Sequence, residues 1–377
     1  MKKIVSLLIP NFIFPFCLTA QSRTISVQLF NLFHPGAIEI TTEKPVIFGV
    51  QNKLQHIQQI LLPTQRLRIE LTQGILKATI QEHSQNFVFE GQGESVKGES
   101  CLYTISVPGR IERHYFGSLE VASDWNRLLP RILIDEETAT EQILRSEMTE
   151  SRQIETLKAQ AILIRSYLRF SQGRHRKDGY DFCDTTHCQF LTGFVRNEDR
   201  FHEGVKETEG VLIVYRGQPF QPAYTAACGG KTLPQPDATP YAYPSVSCRY
   251  CVNHLLYKWK TTFSKSEFIQ LAFNDIPASK RAEFLLRLSQ DEEISPEIQA
   301  LKRRVRIRVG RTLGWNLIRS DRFKIRAESN TIEIEGHGSG HNLGLCQAGA
   351  IELAREGKTY SEILGFYFPG CDLLISS

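Results

Sequence analysis

The chain has 377 residues, of which 41% are hydrophobic, and it carries 45 Lys and Arg against 41 Asp and Glu. This apolar fraction is sufficient for a packed core and excludes a wholly disordered chain, while the length predicts two domains at about 150 residues each. The net charge of +4 is nearly balanced over this length, so the chain is not expected to bind nucleic acid.

Residues 1–20 have the pattern of a secretory signal peptide. Lys2 and Lys3 precede an apolar run over residues 4–16, and Ala20 offers a small residue at the cleavage edge. The run is shorter than the roughly 20 residues that span a bilayer. Cleavage predicts an exported protein of the periplasm or cell envelope with no membrane span. Eight of the nine cysteines would remain, and an exported protein permits disulfides among them.

The first part of the predicted mature chain is expected to be rich in strands. Over residues 21–114, apolar and polar residues alternate in short segments such as 24–30, 67–71 and 75–80. Turn residues separate these segments, as at Gln73-Gly74. We therefore predict a β-rich N-terminal region over residues 21–114.

The second part mixes helices and strands, which predicts an α+β fold. Helical periodicity runs from about Asp135 to Phe170 with a break near Ser151, since apolar positions recur three and four residues apart. Residues 264–300 look helical and charged and are interpreted as an inserted lobe. Further strands are predicted at 210–215, 222–227 and 305–309, and further helices at 346–356 and 360–366.

Glu147 is the first candidate for chemistry, because it lies just ahead of an amphipathic helix. A carboxylic acid in an apolar pocket has a raised pKa and can protonate a leaving group. Several glutamates lie close by and would serve as well on spacing alone, so the pattern itself favours a solvated helix face. These neighbours are Glu136, Glu137, Glu141, Glu150 and Glu155.

A segment rich in cysteine and histidine follows the long helix. Cys183 and Cys188, with one histidine, can supply three tetrahedral ligands to zinc. A local disulfide is the alternative in an exported protein. His187 adjoins Cys188, and neighbouring residues rarely both aim at one ion, so His175 is favoured as the third ligand.

Two further cysteines have the spacing of a metal knuckle. Cys248 and Cys251 are separated by two residues, and His254 follows after the same gap. Both could instead pair elsewhere, for example with Cys228. Here a disulfide or free thiols are favoured over a metal.

A glycine-rich segment over residues 336–344 contains His337 and His341. Alternate glycines let a backbone approach a ligand closely, and no Gly-Lys-Ser/Thr follows, so this is not a phosphate loop. A binding role is favoured over a plain turn. The basic stripe at 304, 306 and 308 could meet an anionic polymer, but a solvated strand face is preferred.

These stretches together resemble the SpoIID (stage II sporulation protein D) family, also called the LytB or amidase-enhancer family. The resemblance covers residues 115–370, in family order, and 22–114 match only loosely. Thr149 replaces the family's Pro, Asn342 replaces a Gly, and Cys346 stands where Ser is common. The matching blocks are Ser146-Glu147-Met148 with 155–161 and 165–167, 186–189 with Gly193, 226–230 with Thr232, 338–350, and 360–370.

The resemblance implies a SpoIID-like catalytic domain over 115–377, with strands and helices around a groove. It implies lytic transglycosylase action on peptidoglycan glycan strands, preferably lacking stem peptides, with formation of 1,6-anhydro-MurNAc ends. Glu147 would be the acid/base, and zinc at His175, Cys183 and Cys188 is supported. The expected substrate-binding residues are Arg165, Gln189, His337, His341 and Gln347.

Two other functions compete with this hypothesis. One is a non-catalytic, glycan-binding activator of a peptidoglycan amidase, which would not depend on Glu147. The other is a zinc hydrolase, but no third or fourth ligand is spaced as hydrolases usually space theirs.

Overall fold

The computed structural model describes residues 23–51, 56–82, 87–124, 126–149, 153–194, 199–235, 237–289 and 295–375. The predicted signal peptide and the predicted helix break near Ser151 lie outside these ranges. Within them the chain combines several β-sheets with eight α-helices, so the predicted α+β class is confirmed. Among the described residues, no helix has both the length and the hydropathy needed to cross a bilayer.

Ten strands precede the first helix, which confirms the strand-rich N-terminal region. They are β1 (Thr24–Gln28), β2 (Ala37–Thr42), β3 (Val46–Gln51), β4 (His56–Leu61), β5 (Gln65–Thr72), β6 (Ile75–Glu82), β7 (Phe87–Gly93), β8 (Ser95–Val107), β9 (Ile111–Asp124) and β10 (Arg127–Asp135). With β11 (Phe182–Cys183) they form an eleven-stranded sheet, in which β3 and β4 branch from β8. Buried residues alternate with half-exposed ones along β9 and β10, as a sheet with one covered face requires.

β1 joins the beginning of the chain to the segment after the long helix. It pairs antiparallel with β10 and parallel with β11, so that Val27 faces Phe182 and Gln28 faces Cys183. The N-terminal strands and the cysteine-bearing segment therefore share one sheet.

Two helices lead into that segment, α1 (Glu136–Glu147) and α2 (Ile154–Ser171), and α3 (Arg200–Lys206) follows it. The Asp135 side chain caps α1 by accepting from the Thr138 N–H. α2 is buried along most of its length against the large sheet and against the C-terminal helices. Glu147 is thereby placed at the C-terminal end of a short, well-capped helix.

The remaining elements complete three smaller sheets. They are β12 (Val211–Tyr215), β13 (Gln218–Pro219), β14 (Tyr224–Thr225), β15 (Lys258–Ser264), α4 (Lys265–Ala272), α5 (Ala278–Ser289), α6 (Pro296–Leu313), β16 (Phe323–Ala327), β17 (Thr331–His337), β18 (Leu345–Cys346), α7 (Gln347–Arg355), α8 (Tyr360–Tyr367) and β19 (Cys371–Ile375). Short β14 pairs in parallel with β18. Helices α4 to α6 pack with β15, β16 and β17 around a separate hydrophobic cluster, which agrees with the predicted helical segment at 264–300.

The predicted strand at 305–309 is wrong, because these residues lie inside α6. Ser295 caps this helix and Pro296 opens it. Val305 and Val309 are one helical turn apart and both fully buried. The pattern of these five residues is therefore compatible with the helical period as well as with the strand period.

The basic stripe is also not a free cationic face. Arg304 and Arg308 both pair with Asp275, and Arg306 lies 2.5 Å from an oxygen of Asp321. These arginines hold α6 to its neighbours, and neither predicted interpretation of the stripe applies.

Candidate active site and metal sites

Glu147 is held by a loop that folds back onto the end of α1. Its Oε1 accepts a hydrogen bond from the Phe190 N–H at 3.1 Å. The preceding residue, Ser146, accepts from the Thr192 N–H at 3.1 Å, and its hydroxyl lies 2.9 Å from the Thr192 hydroxyl. Two consecutive residues of α1 therefore clamp residues 190–192.

The surroundings of Glu147 favour its protonated form. Burial raises the pKa of Glu147 to about 7, although the Phe190 N–H opposes the shift. Among the residues that the structure describes, no cation lies within ion-pair distance of this carboxyl. Because the residue is only half-buried, the acid stays within reach of a substrate.

The neighbouring glutamates that the structure describes differ, because each pairs with a basic side chain. Glu136 pairs with Arg169 and Glu141 with Arg145. Glu150 lies outside the described residues. The structure thus separates Glu147 from the described glutamates with which the sequence pattern grouped it.

Tyr224 and Gln189 form a second polar pair beside Glu147. The Tyr224 hydroxyl donates to Gln189 Oε1 at 3.2 Å. Burial and the nearby Glu147 carboxylate raise the pKa of Tyr224. Gln189 is 5% exposed, and its Nε2 has no hydrogen-bond partner among the described residues. The strand predicted at 222–227 contains β14, but no motif marks Tyr224 as a functional residue.

The glycine-rich loop reaches the same neighbourhood through Tyr224. β14 and β18 place Tyr224 opposite Leu345, and the Tyr224 backbone hydrogen-bonds the His341 ring. The Leu343 N–H donates to His341 Nδ1 at 3.0 Å. Burial lowers the pKa of His341 to about 4, so the ring is neutral.

Asn342, which departs from the family motif, fits its place. Its φ of 59° lies in the left-handed region, which glycine favours and asparagine tolerates. Its side-chain amide donates to the Cys228 carbonyl at 3.1 Å. The replacement therefore keeps the loop conformation.

The other predicted substrate residues are placed differently. Gln347, 8% exposed, opens α7 with an Nε2 that has no partner among the described residues. His337 lies at the end of β17, edge-on to Tyr257. Arg165 is wrong as a substrate residue: its fully buried guanidinium forms an ion pair with Glu137 at 2.6 Å and donates to backbone carbonyls. A sugar cannot reach it.

The predicted metal ligands do come together. Cys183 Sγ lies 3.6 Å from Cys188 Sγ, and His175 Nε2 lies 3.3 Å from Cys188 Sγ. His187, which the sequence argument set aside, joins them: its Nδ1 is 3.8 Å from Cys183 Sγ and 3.7 Å from Cys188 Sγ. Residues 187 and 188 lie in a turn, where adjacent side chains can converge.

These four side chains fit tetrahedral zinc. All four ligand atoms lie within 4.8 Å of one another, and zinc bonds of roughly 2.0–2.3 Å require similar spacings. The Asp178 carboxylate lies 3.1 Å from the other ring nitrogen of His175, which is the usual support of a ligating histidine. The four side chains therefore suit a zinc ion whose coordination positions are all filled by the protein.

A second cluster unites Cys228, Cys248, Cys251 and Cys346. His254 is not part of it, since its Nδ1 accepts from the Leu256 N–H at 3.2 Å. Cys248 and Cys251 of the predicted knuckle thus lie beside two distant cysteines, Cys228 and Cys346. The sequence analysis suggested a pairing with Cys228 but did not indicate Cys346.

The chain is similar to several known proteins. Residues 133–215 match the family model SpoIID, described as stage II sporulation protein. An uncharacterized protein of Brachyspira hyodysenteriae is 29% identical over 266 residues, covering 69% of this chain and 72% of that protein.

Two relatives come from Bacillus subtilis. Stage II sporulation protein D is 24% identical over 253 residues, covering 61% of this chain and 72% of its own length. The amidase enhancer is 22% identical over 285 residues, covering 61% of this chain and 39% of its own length. These similarities confirm the resemblance to the SpoIID family that the motifs predicted.

Proposed function

We propose that the chain is a lytic transglycosylase that cleaves peptidoglycan glycan strands, preferably those without stem peptides. The observation that carries the proposal is the Glu147 carboxyl. It is accessible, has no cationic partner among the described residues, and its pKa is raised to about 7. Such a group holds a proton near neutral pH and can release it to a leaving oxygen.

The reaction needs one carboxyl group. Protonated Glu147 donates its proton to the glycosidic oxygen as the bond from that oxygen to the anomeric carbon breaks. The 6-hydroxyl of the same sugar forms the new bond to the anomeric carbon, and the Glu147 carboxylate takes the hydroxyl proton. The products are a new 4-hydroxyl end and a 1,6-anhydro end, and no water is consumed. Hydrolytic glycosidases instead use a second carboxylate.

Neighbouring groups would orient the acid and the sugars. The Phe190 N–H fixes one oxygen of Glu147, which leaves the other oxygen for the substrate. The Nε2 groups of Gln189 and Gln347, which have no hydrogen-bond partner among the described residues, and the neutral ring of His341 are suited to sugar hydroxyls.

His175, Cys183, His187 and Cys188 would hold a zinc ion close in sequence to that loop. With four protein ligands, the ion would act structurally, fixing the chain around it. Cys188 lies two residues before Phe190, so these ligands position the donor to Glu147.

Action on peptidoglycan agrees with relatives named for sporulation and amidase enhancement. It also agrees with the predicted export of the chain to the periplasm or cell envelope.

The test compares the native protein with Glu147→Gln on peptide-free glycan strands. Glutamine keeps the shape but cannot donate and then accept a proton, so cleavage should fall by about 10²–10⁴. Products of the native protein should carry 1,6-anhydro ends by mass. Glu203→Gln is the matched control, because this glutamate is exposed on α3. Ordinary reducing ends, or full cleavage by Glu147→Gln, would contradict the proposal.

A second candidate is a non-catalytic activator of a peptidoglycan amidase, favoured by the relative named amidase enhancer. In that case the native protein would leave strands intact. It would stimulate an amidase equally well with or without Glu147→Gln.

A further inference from the structure

Four cysteines from three parts of the chain meet in a cluster that the proposed reaction does not use. Cys228 follows β14, Cys248 and Cys251 flank a short turn, and Cys346 immediately precedes α7. All four residues are 0% exposed. Their Sγ atoms all lie within 4.8 Å of one another, and those of Cys228 and Cys251 are 3.6 Å apart.

This spacing is that of a tetrahedron. Zinc–sulfur bonds of about 2.3 Å place four sulfur ligands about 3.8 Å apart. Two disulfides would instead bring two pairs to about 2.0 Å and leave the pairs separate. We propose that this four-cysteine cluster is a second, structural zinc site, distinct from the site at His175.

The surroundings of the cluster supply donors to sulfur. The Cys228 and Gly349 N–H groups donate to Cys346 Sγ at 3.2 and 3.4 Å. The Tyr367 hydroxyl lies 3.2 Å from Cys248 Sγ. Hydrogen bonds of this kind spread the negative charge of metal-bound thiolates.

The cluster is closely packed against the start of α7. A Cβ at Gly349 would lie 2.7 Å from Cys248 Sγ, which is closer than such atoms approach. In the resembled family motif, serine is common at the position of Cys346. Cysteine there completes the ligand set formed with Cys228, Cys248 and Cys251.

The proposed ion would join the elements that carry the glycine-rich loop. The Cys228 carbonyl accepts from the Asn342 amide and from Arg322 Nη1, at 3.1 and 3.0 Å. Ala227 bridges to Ser339 in that loop. Loss of the ion would therefore loosen the β14 turn, the start of α7 and the loop of His341 together.

The test measures metal content of the full purified chain. About two zinc ions per chain are expected, and Cys228→Ser/Cys346→Ser should retain about one. Cys183→Ser/Cys188→Ser should also retain about one, the ion of the four-cysteine cluster. Cys101→Ser/Cys371→Ser is the control, because these cysteines belong to neither cluster. Zinc content unchanged by Cys228→Ser/Cys346→Ser would overturn the proposal.

A second measurement does not require that variant to fold. In Cys183→Ser/Cys188→Ser the four-cysteine cluster is intact, and cobalt(II) should give intense thiolate charge-transfer bands and tetrahedral ligand-field bands. After chelation and denaturation without reductant, all four thiols should be alkylated. Thiols that resist alkylation until reductant is added would mean two disulfides, and the site would be redox-linked rather than metallic. If the site at His175 proves empty, this variant simply binds as much zinc as the native chain.

Discussion

At the scale of single residues, Glu147 sets how the proposed activity depends on pH. A general acid must be protonated in the free enzyme, and the pKa of Glu147 is about 7. We expect kcat/KM for strand cleavage to be highest below this value and to fall tenfold per pH unit above it. A pH profile on peptide-free strands checks this. A rate that rises through pH 7 would assign the limiting proton to another group.

The same pKa makes a prediction about stability. The folded pKa of Glu147 is raised above its ordinary value of 4.5, so the folded chain binds the proton more tightly and loses stability as pH rises through 4.5 to 7. Glu147→Gln has no such loss. Above pH 7 it should be more stable than the native protein by up to about 3 kcal/mol. At pH 4 the two should be nearly equal.

Denaturant unfolding at pH 4 and pH 8 measures this difference. Glu203→Gln, the same change at an exposed glutamate, is the control. If Glu147→Gln and the native chain are equally stable at pH 8, the Glu147 carboxylate is solvated in the folded chain.

The sequence identified Glu147 through its motif, but it could not supply the groups that tune this acid. Phe190 lies 43 residues away and contributes only its backbone N–H, which no residue pattern marks. Arg165 lies within a matched motif, but its neighbour Glu137 is 28 residues distant. A motif shows which residues recur together and leaves open which of them face the substrate.

At the scale of elements, the decisive contact is between the end of α1 and the loop of residues 190–192. Ser146→Ala removes the acceptor of the Thr192 N–H and should cost about 1 kcal/mol of stability. The Phe190 hydrogen bond lowers the pKa of Glu147. Because the loosened loop weakens this bond, the pKa of Glu147 should rise. The basic limb of the pH profile should therefore move upward, and Ser146→Thr, which keeps a hydroxyl, should restore it. A stability loss without a shifted profile would leave Ser146 with a structural role only.

Local period predicted β1, β5 and β6 as strands and α2, α7 and α8 as helices, because each of them repeats its pattern along its length. It failed at 305–309, where five residues satisfy a strand and a helix equally, and only the cap at Ser295 distinguishes them. Residue spacing also argued against His187 as a metal ligand, because spacing does not show the turn in which residues 187 and 188 converge. In both cases the conformation of a short segment depends on the residues packed around it.

At the scale of the whole molecule, the α+β class followed from the sequence while the order of strands did not. β1 lies between β10 and β11, a pairing that depends on contacts across more than a hundred residues. The predicted boundary between 114 and 115 cuts through this sheet.

A chain that begins at residue 115 should therefore not fold cooperatively. It would lack Val27 and Leu29, which are 2% and 0% exposed in the core. Asp184 would also lose the Phe30 N–H that donates to it at 2.7 Å. Circular dichroism and thermal unfolding of the truncated chain check this. A sharp transition close to that of the full chain would show that the boundary is a true domain limit.

The place of β1 also fixes when the active site can form. Ser26 bonds the Asp181 N–H across 155 residues, and β11 can join the sheet only after everything between them has been made. Contacts of such separation form late, since the intervening chain must first be closed into a loop. Phe190 comes later still in the chain than β11. Glu147 therefore lacks its orienting donor until residue 190 has been synthesised and β11 has joined the sheet.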